Sequence, residues 1–146
     1  MSYQHLLIAV DDSPISYAAV EHGLALAKLC KSKVTLVSVV AIDPFVGVDF
    51  YKIAPAVTDY FMHAEQHAQL RLRDIEQTFL NENIQPQSKI FHGEPAQGIL
   101  SVADEVGADL IIMGSHGRTG IKKFMLGSVA QAILAQSAIP VLTIKQ

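Results

Sequence analysis

The residues of this chain best suited to holding an anion are four small ones, in the arrangement Gly114-x2-Gly117-x9-Gly127-Ser128. A glycine lets the backbone turn so that successive N–H groups converge on a phosphate, and a Cβ there would crowd the anion or forbid the turn. Gly127 and Ser128 stand directly before an apolar pattern at helical spacing, Val129, Ile133 and Leu134. Their N–H groups and the Ser128 hydroxyl therefore belong at a helix start, whose field favours an anion by about 0.3–1 kcal/mol. Ser115 and His116 lie inside the loop as further hydrogen-bonding groups, and Arg118, Lys122 and Lys123 either offset phosphate charge or form a solvated face. Gly107 and Gly120 are assigned to cap and turn duties. Asp11, far away in sequence, ends an apolar run, and its carboxylate can accept from hydroxyl donors. Asp12 beside it suits the start of a helix.

Other chemistries find less support. A Walker loop needs Gly-x4-Gly-Lys-Ser/Thr, whereas Gly117-Arg118-Thr119-Gly120 runs into Ile121-Lys122-Lys123 at the wrong spacing. There is no Gly-x-Gly-x-x-Gly fingerprint, no Gly-x-Ser-x-Gly elbow, no His-Glu-x-x-His and no kinase set. His63 and His67 are four apart on one helical pattern but lack a third ligand at usable spacing, so they are assigned to the surface. Cys30 cannot form an intramolecular disulfide and is expected to be a small buried hydrophobe. No catalytic or dedicated metal-binding residue is assigned.

The elements that must position these groups follow from the hydropathy pattern. Leu6–Val10 and Leu110–Met113 are continuous apolar runs of strand length, as buried parallel strands require. Val34–Val40, Ser88–His92 and Val141–Ile144 are three further strand patterns. Pro14 after Ser13 opens a helix whose apolar face is expected to carry Ile15, Ala18, Ala19, His22, Leu26, Leu29 and Cys30. A long helix over about Val57–Asn81 has Val57, Phe61, Ala64, Ala68, Leu72, Ile75 and Phe79 at spacings of three and four. Another helix, with Ile99, Leu100, Ala103 and Val106 inward, ends at Gly107. Ala41–Ala56 is irregular, and its Phe45, Phe50 and Tyr51 either cover a ligand or pack on the next helix. Five strands interleaved with four helices predict a single α/β domain over residues 1–146, doubly wound around an open parallel sheet.

The glycine spacing, its flanks IIMGSHGRTG and LGSVAQAIL, the closing IPVLTI and the opening HLLIAVDDSP together resemble the ATP-binding branch of the universal stress protein family. The likeness covers essentially the whole chain. It implies a Rossmann-like sheet of order 3-2-1-4-5, which sets the ends of the first and fourth strands side by side. It also implies an adenine nucleotide, ATP or a relative, with Mg2+ at its phosphates. The phosphates would lie between Gly114–Arg118 and Gly127–Val129, with Asp11 against the nucleoside. Ala9, Val10, Val39 and Val40 would line a slot for adenine. The last strand, Ile139, Pro140, Val141, Leu142, Thr143 and Ile144, is the expected homodimer contact, since an open apolar edge invites pairing.

The expected function is that of a regulatory or stress-response module with little or no hydrolysis, reporting to a protein partner that the sequence does not name. A slow ATPase or phosphotransferase using the same site, and a nucleotide-free adaptor dimer, are the alternatives. A formal charge of −3 over 146 residues gives no nucleic-acid surface. No apolar run is long enough to span a bilayer, and a cytoplasmic location is the expectation.

Overall fold

The computed structural model describes residues 2–41, 55–116 and 126–145, and for residues 55–58 the backbone alone. Phe45, Phe50 and Tyr51, assigned above to a cover or to packing, lie outside the described residues, as do Gly117 and Arg118.

The elements run β1 (His5–Ala9), α1 (Pro14–Cys30), β2 (Lys33–Ala41), α2 (Pro55–Leu80), β3 (Gln87–Gly93), α3 (Pro95–Val106), β4 (Leu110–Gly114), α4 (Ser128–Gln136) and β5 (Val141–Ile144). The strands form one parallel sheet in the order β3-β2-β1-β4-β5, the order that the family likeness implies. Leu7 of β1 is in register with Thr35 of β2 on one side and Ile111 of β4 on the other. Strands covered on both faces cannot alternate apolar with polar. Hence Leu6, Leu7, Ile8, Ile111 and Ile112 are all fully buried.

Two cores result. On one face Leu6, Ile8, Leu36 and Ile112 pack with α1 and with Leu72, Ile75 and Phe79 of α2. On the other, Leu7, Val37, Ile111 and Met113 meet Ile99 and Val102 of α3 and Ala130 and Ile133 of α4.

The α1 face differs from the one expected. Ile15, Ser16, Ala19, Val20, Gly23 and Ala27 are buried, while His22 is exposed and Leu29 is 80% exposed. Cys30, expected to be buried, is half-buried. The reason is Gly23. Its missing side chain brings α1 onto β1 so closely that a Cβ would lie 2.3 Å from Ile8 Cδ1. That contact turns the i, i+4 row of residues 15, 19, 23 and 27 toward the sheet, and Leu29 away from it. In α4, likewise, Ile133 is buried and Leu134 is 44% exposed.

The lower rim of the sheet is tied by one carboxylate. Asp109 accepts the N–H of Gln4 at 2.8 Å and the N–H of His5 at 3.0 Å, while its own N–H donates to the His5 carbonyl at 2.9 Å. The His5 ring meets the buried Thr35 hydroxyl at 2.7 Å. Burial, and then the Lys33 charge, hold the His5 imidazole below its ordinary pKa of 6.5, against the opposing pull of Asp109. The unfolded chain therefore binds this proton at a higher pH than the folded chain does. Stability attributable to His5 is complete above about pH 6.5 and declines as the pH falls through the lowered folded-state value. Urea unfolding of wild type and His5→Asn across that window should show a steeper acid loss in wild type, and parallel curves would refute the assignment.

Candidate functional site

The carboxyl ends of β1, β2 and β4 open into a cavity of about 790 Å³, within the range of small-molecule sites. Its position, where the chain reverses direction across the sheet between β1 and β4, is where open α/β sheets take ligands. Of the residues singled out from sequence, Ala9, Val10, Asp11, Val39, Val40, Gly114, His116, Gly127, Ser128 and Val129 line it together. Ser115 does not. It is 3% exposed, and its hydroxyl faces His116 Nδ1 at 3.4 Å.

Ser115 acts instead as the joint of the site. Its N–H donates to the Ile144 carbonyl at 2.8 Å and its carbonyl accepts the Gly127 N–H at 2.7 Å. The end of β4 is thereby joined to β5 and to the start of α4. The first four N–H groups of a helix have no partner within it, and here the first of them, that of Gly127, is taken by Ser115. Gly127, the cap of α4, supplies no side-chain acceptor for them. At α3 the same need is met internally, because the Glu94 carboxylate accepts from Ala96 N–H at 3.0 Å and Gln97 N–H at 2.7 Å. Both helix starts border the cavity, through Pro95 and through Ser128, and only the α4 start is left without a capping carboxylate.

Gly114 lines the cavity and also has a packing role that its spacing does not suggest. It is not among the glycines with positive φ. A Cβ on it would stand 2.7 Å from Ile15 Cγ2 and 3.3 Å from the His116 carbonyl oxygen. Close packing of β4 against the first turn of α1 demands the glycine, whatever binds nearby.

Asp11 is partly buried at the opposite rim. Its Oδ1 accepts the Ser13 N–H at 2.8 Å and also the Ser13 hydroxyl, while its own N–H donates to Ser16 Oγ at 2.9 Å. The carboxylate thus braces the turn into α1 with one oxygen. Among the described residues Oδ2 has no protein hydrogen bond.

One wall was not legible beforehand. Tyr60, His63, His67 and Arg71, on one face of α2, line the same cavity. His63 and His67 are exposed, as expected of surface histidines, but the surface is that of the crevice. The signal available was the shared helical face of His63 and His67, continued one turn on by Arg71. No group of three His, Cys, Asp or Glu side chains able to hold a metal occurs among the described residues.

The sheet order and the crevice define a doubly wound α/β protein with its candidate site at the switch point. The model of the universal stress protein family matches residues 2–145. The chain belongs to this family. It is 28% identical to universal stress protein MJ0531 of Methanocaldococcus jannaschii over 144 residues, covering 99% of this chain and 83% of that one. It is 26% identical to MJ0577 of the same organism, covering 99% and 96%. The solved structure of MJ0577 superposes with a TM-score of 0.85, covering 100% of this chain and 98% of that one. A universal stress protein of Archaeoglobus fulgidus, solved in complex with dAMP, shares the fold at a TM-score of 0.68 and 22% identity, covering 99% and 100%.

Gly114→Ala should cost about 1–3 kcal/mol of unfolding free energy through overpacking against Ile15. Combined with Ile15→Ala, the loss should fall short of the sum of the two single losses, as expected of residues in contact. Strict additivity in urea melts would show that the glycine is not required by this contact.

Proposed function

We propose that the chain is an adenine-nucleotide-binding regulatory module, with ATP or a related nucleotide in the 790 Å³ cavity and little or no hydrolysis. The observation that carries this is the α4 start. Its N–H groups are left without a side-chain cap and border the same cavity as Asp11. Phosphates would take the N–H groups around Gly127, Ser128 and Val129, joined by Gly117 and Arg118 of the loop. One ribose hydroxyl would take Asp11 Oδ2. Ala9, Val10, Val39 and Val40 would hold the adenine ring. Magnesium would arrive with the phosphates, since hard cations of its size keep several waters and need few protein ligands. Among the described residues, Asp11 and Asp12 are the carboxylates that line the cavity. That a family member from Archaeoglobus fulgidus was solved with dAMP agrees with this choice of ligand.

Slow turnover follows from the type of contact. Backbone N–H groups and an apolar slot hold substrate and transition state about equally well, which favours binding over rate. A regulatory role further requires a protein partner that senses whether the cavity is filled.

Saturating ATP with magnesium should stabilise wild type by about 2.7 kcal/mol at a hundredfold excess over its dissociation constant. Gly117→Val should remove that gain while melting as a folded protein without ligand. An unchanged melting temperature for wild type across the ATP titration would end this proposal.

Assembly would use β5, an edge strand of the sheet. Ile144 is buried in the protomer's own core, whereas Ile139, Val141, Leu142 and Thr143 are partly exposed and Pro140 is exposed. The Pro140 and Ile144 carbonyls accept from Ile111 and Ser115. By ladder alternation Val141 and Thr143 direct their backbone groups outward, toward a second copy. Thr143→Pro deletes one outward N–H and spares the inward bonds, as proline on an edge strand can. Light scattering should give a dimer for wild type and a shift toward monomer for Thr143→Pro; a monomeric wild type at micromolar concentration would dismiss this contact.

A further inference from the structure

Arg71 is the one guanidinium lining the cavity among the described residues. It is half-buried on α2, and Nη1 donates to the buried Ser38 Oγ across a long 3.4 Å. The ion pairs of the described residues are Lys28–Glu82, Lys89–Glu105 and His92–Glu65, and none includes Arg71. A guanidinium has five donors in a planar fork and is always charged. Holding it partly out of water without an acid is unfavourable unless a partner arrives. The neighbouring turns of α2 add His67 and His63 on the same wall, so this side of the cavity is rich in donors.

Asp11 bears on what that partner is. Its Oδ1 already accepts from the Ser13 N–H and hydroxyl, so one oxygen remains for one ribose hydroxyl. The other ribose oxygen has no carboxylate assigned to it. On the footing that the cavity holds an adenine nucleotide, we infer that Arg71 is a specificity-determining residue that recognises a second phosphate carried on a ribose oxygen. The preferred ligand is then a ribose-phosphorylated adenine nucleotide, with its 5′-phosphate at Gly127–Ser128 and its ribose phosphate at Arg71. A bidentate guanidinium–phosphate pair is charge-assisted and geometrically selective, and it is not reproduced by lysine.

Calorimetric titration of wild type, Arg71→Gln and Arg71→Lys with AMP, adenosine 2′,5′-bisphosphate and adenosine 3′,5′-bisphosphate tests this. In wild type one bisphosphate should bind about tenfold more tightly than AMP, as a hydrogen-bonded charge pair provides. Which of the two does so identifies the ribose oxygen. Arg71→Gln should bring that bisphosphate to within about twofold of AMP and leave AMP itself unchanged, with Arg71→Lys between the two. Equal affinity of wild type for AMP and both bisphosphates overturns the inference and leaves nucleotide binding intact. A parallel loss of AMP and bisphosphate in a folded Arg71→Gln also overturns it, because Arg71 then merely supports the wall. If neither AMP nor ATP binds wild type, the nucleotide site and this inference fall together.

Discussion

Parallel pairing of β1 with β4 is the constraint on which the site depends. It brings together segments 104 positions apart at the Asp109–His5 contact. Asp109 bonds the two backbones at the foot of the strands, and the Gly114–Ile15 contact packs the upper end of β4 against the first turn of α1. Between those points Leu6, Leu7 and Ile8 face Leu110, Ile111 and Ile112 in register. A slip of one residue would reverse which side chains face each core and would carry Asp11 away from the α4 start. The stiffness of the crevice is thus inherited from a close-packed apolar sheet, not made by the polar groups that line it.

Much of this was visible in the order of residues. Apolar runs such as Leu6–Val10 and Leu110–Met113 can be little else than buried strands when glycine-rich turns and helical patterns separate them. The glycine spacing located the rim of the cavity because it marks where backbone must come close to something. What the spacing does not reveal is that Gly114 also comes close to the Ile15 side chain, a long-range contact. Gly23 did mislead. A residue without a side chain adds nothing to an apolar stripe, so the stripe appeared to run through Leu29, which is 80% exposed.

The α2 wall escaped notice for a general reason. Hydrophobic periodicity separates a helix into a core face and a remainder, and the remainder is taken to face solvent. Arg71 stands one position from the buried Leu72, and His67 one position from the buried Ala68. Residues at the margin of the apolar stripe can face either water or a crevice, and only the packing of α2 on β2 and β3 decides between them.

Ser115 carries a consequence for how this protein can vary. β4 ends at Gly114 and α4 begins at Ser128, yet the two are joined by the Gly127–Ser115 hydrogen bond. Whatever lies between them is closed by a bond that does not depend on its length. Doubling such a segment would cost only about 0.6 kcal/mol in closure entropy. The intervening segment can therefore be lengthened, shortened or exchanged while β4, β5 and α4 keep their places.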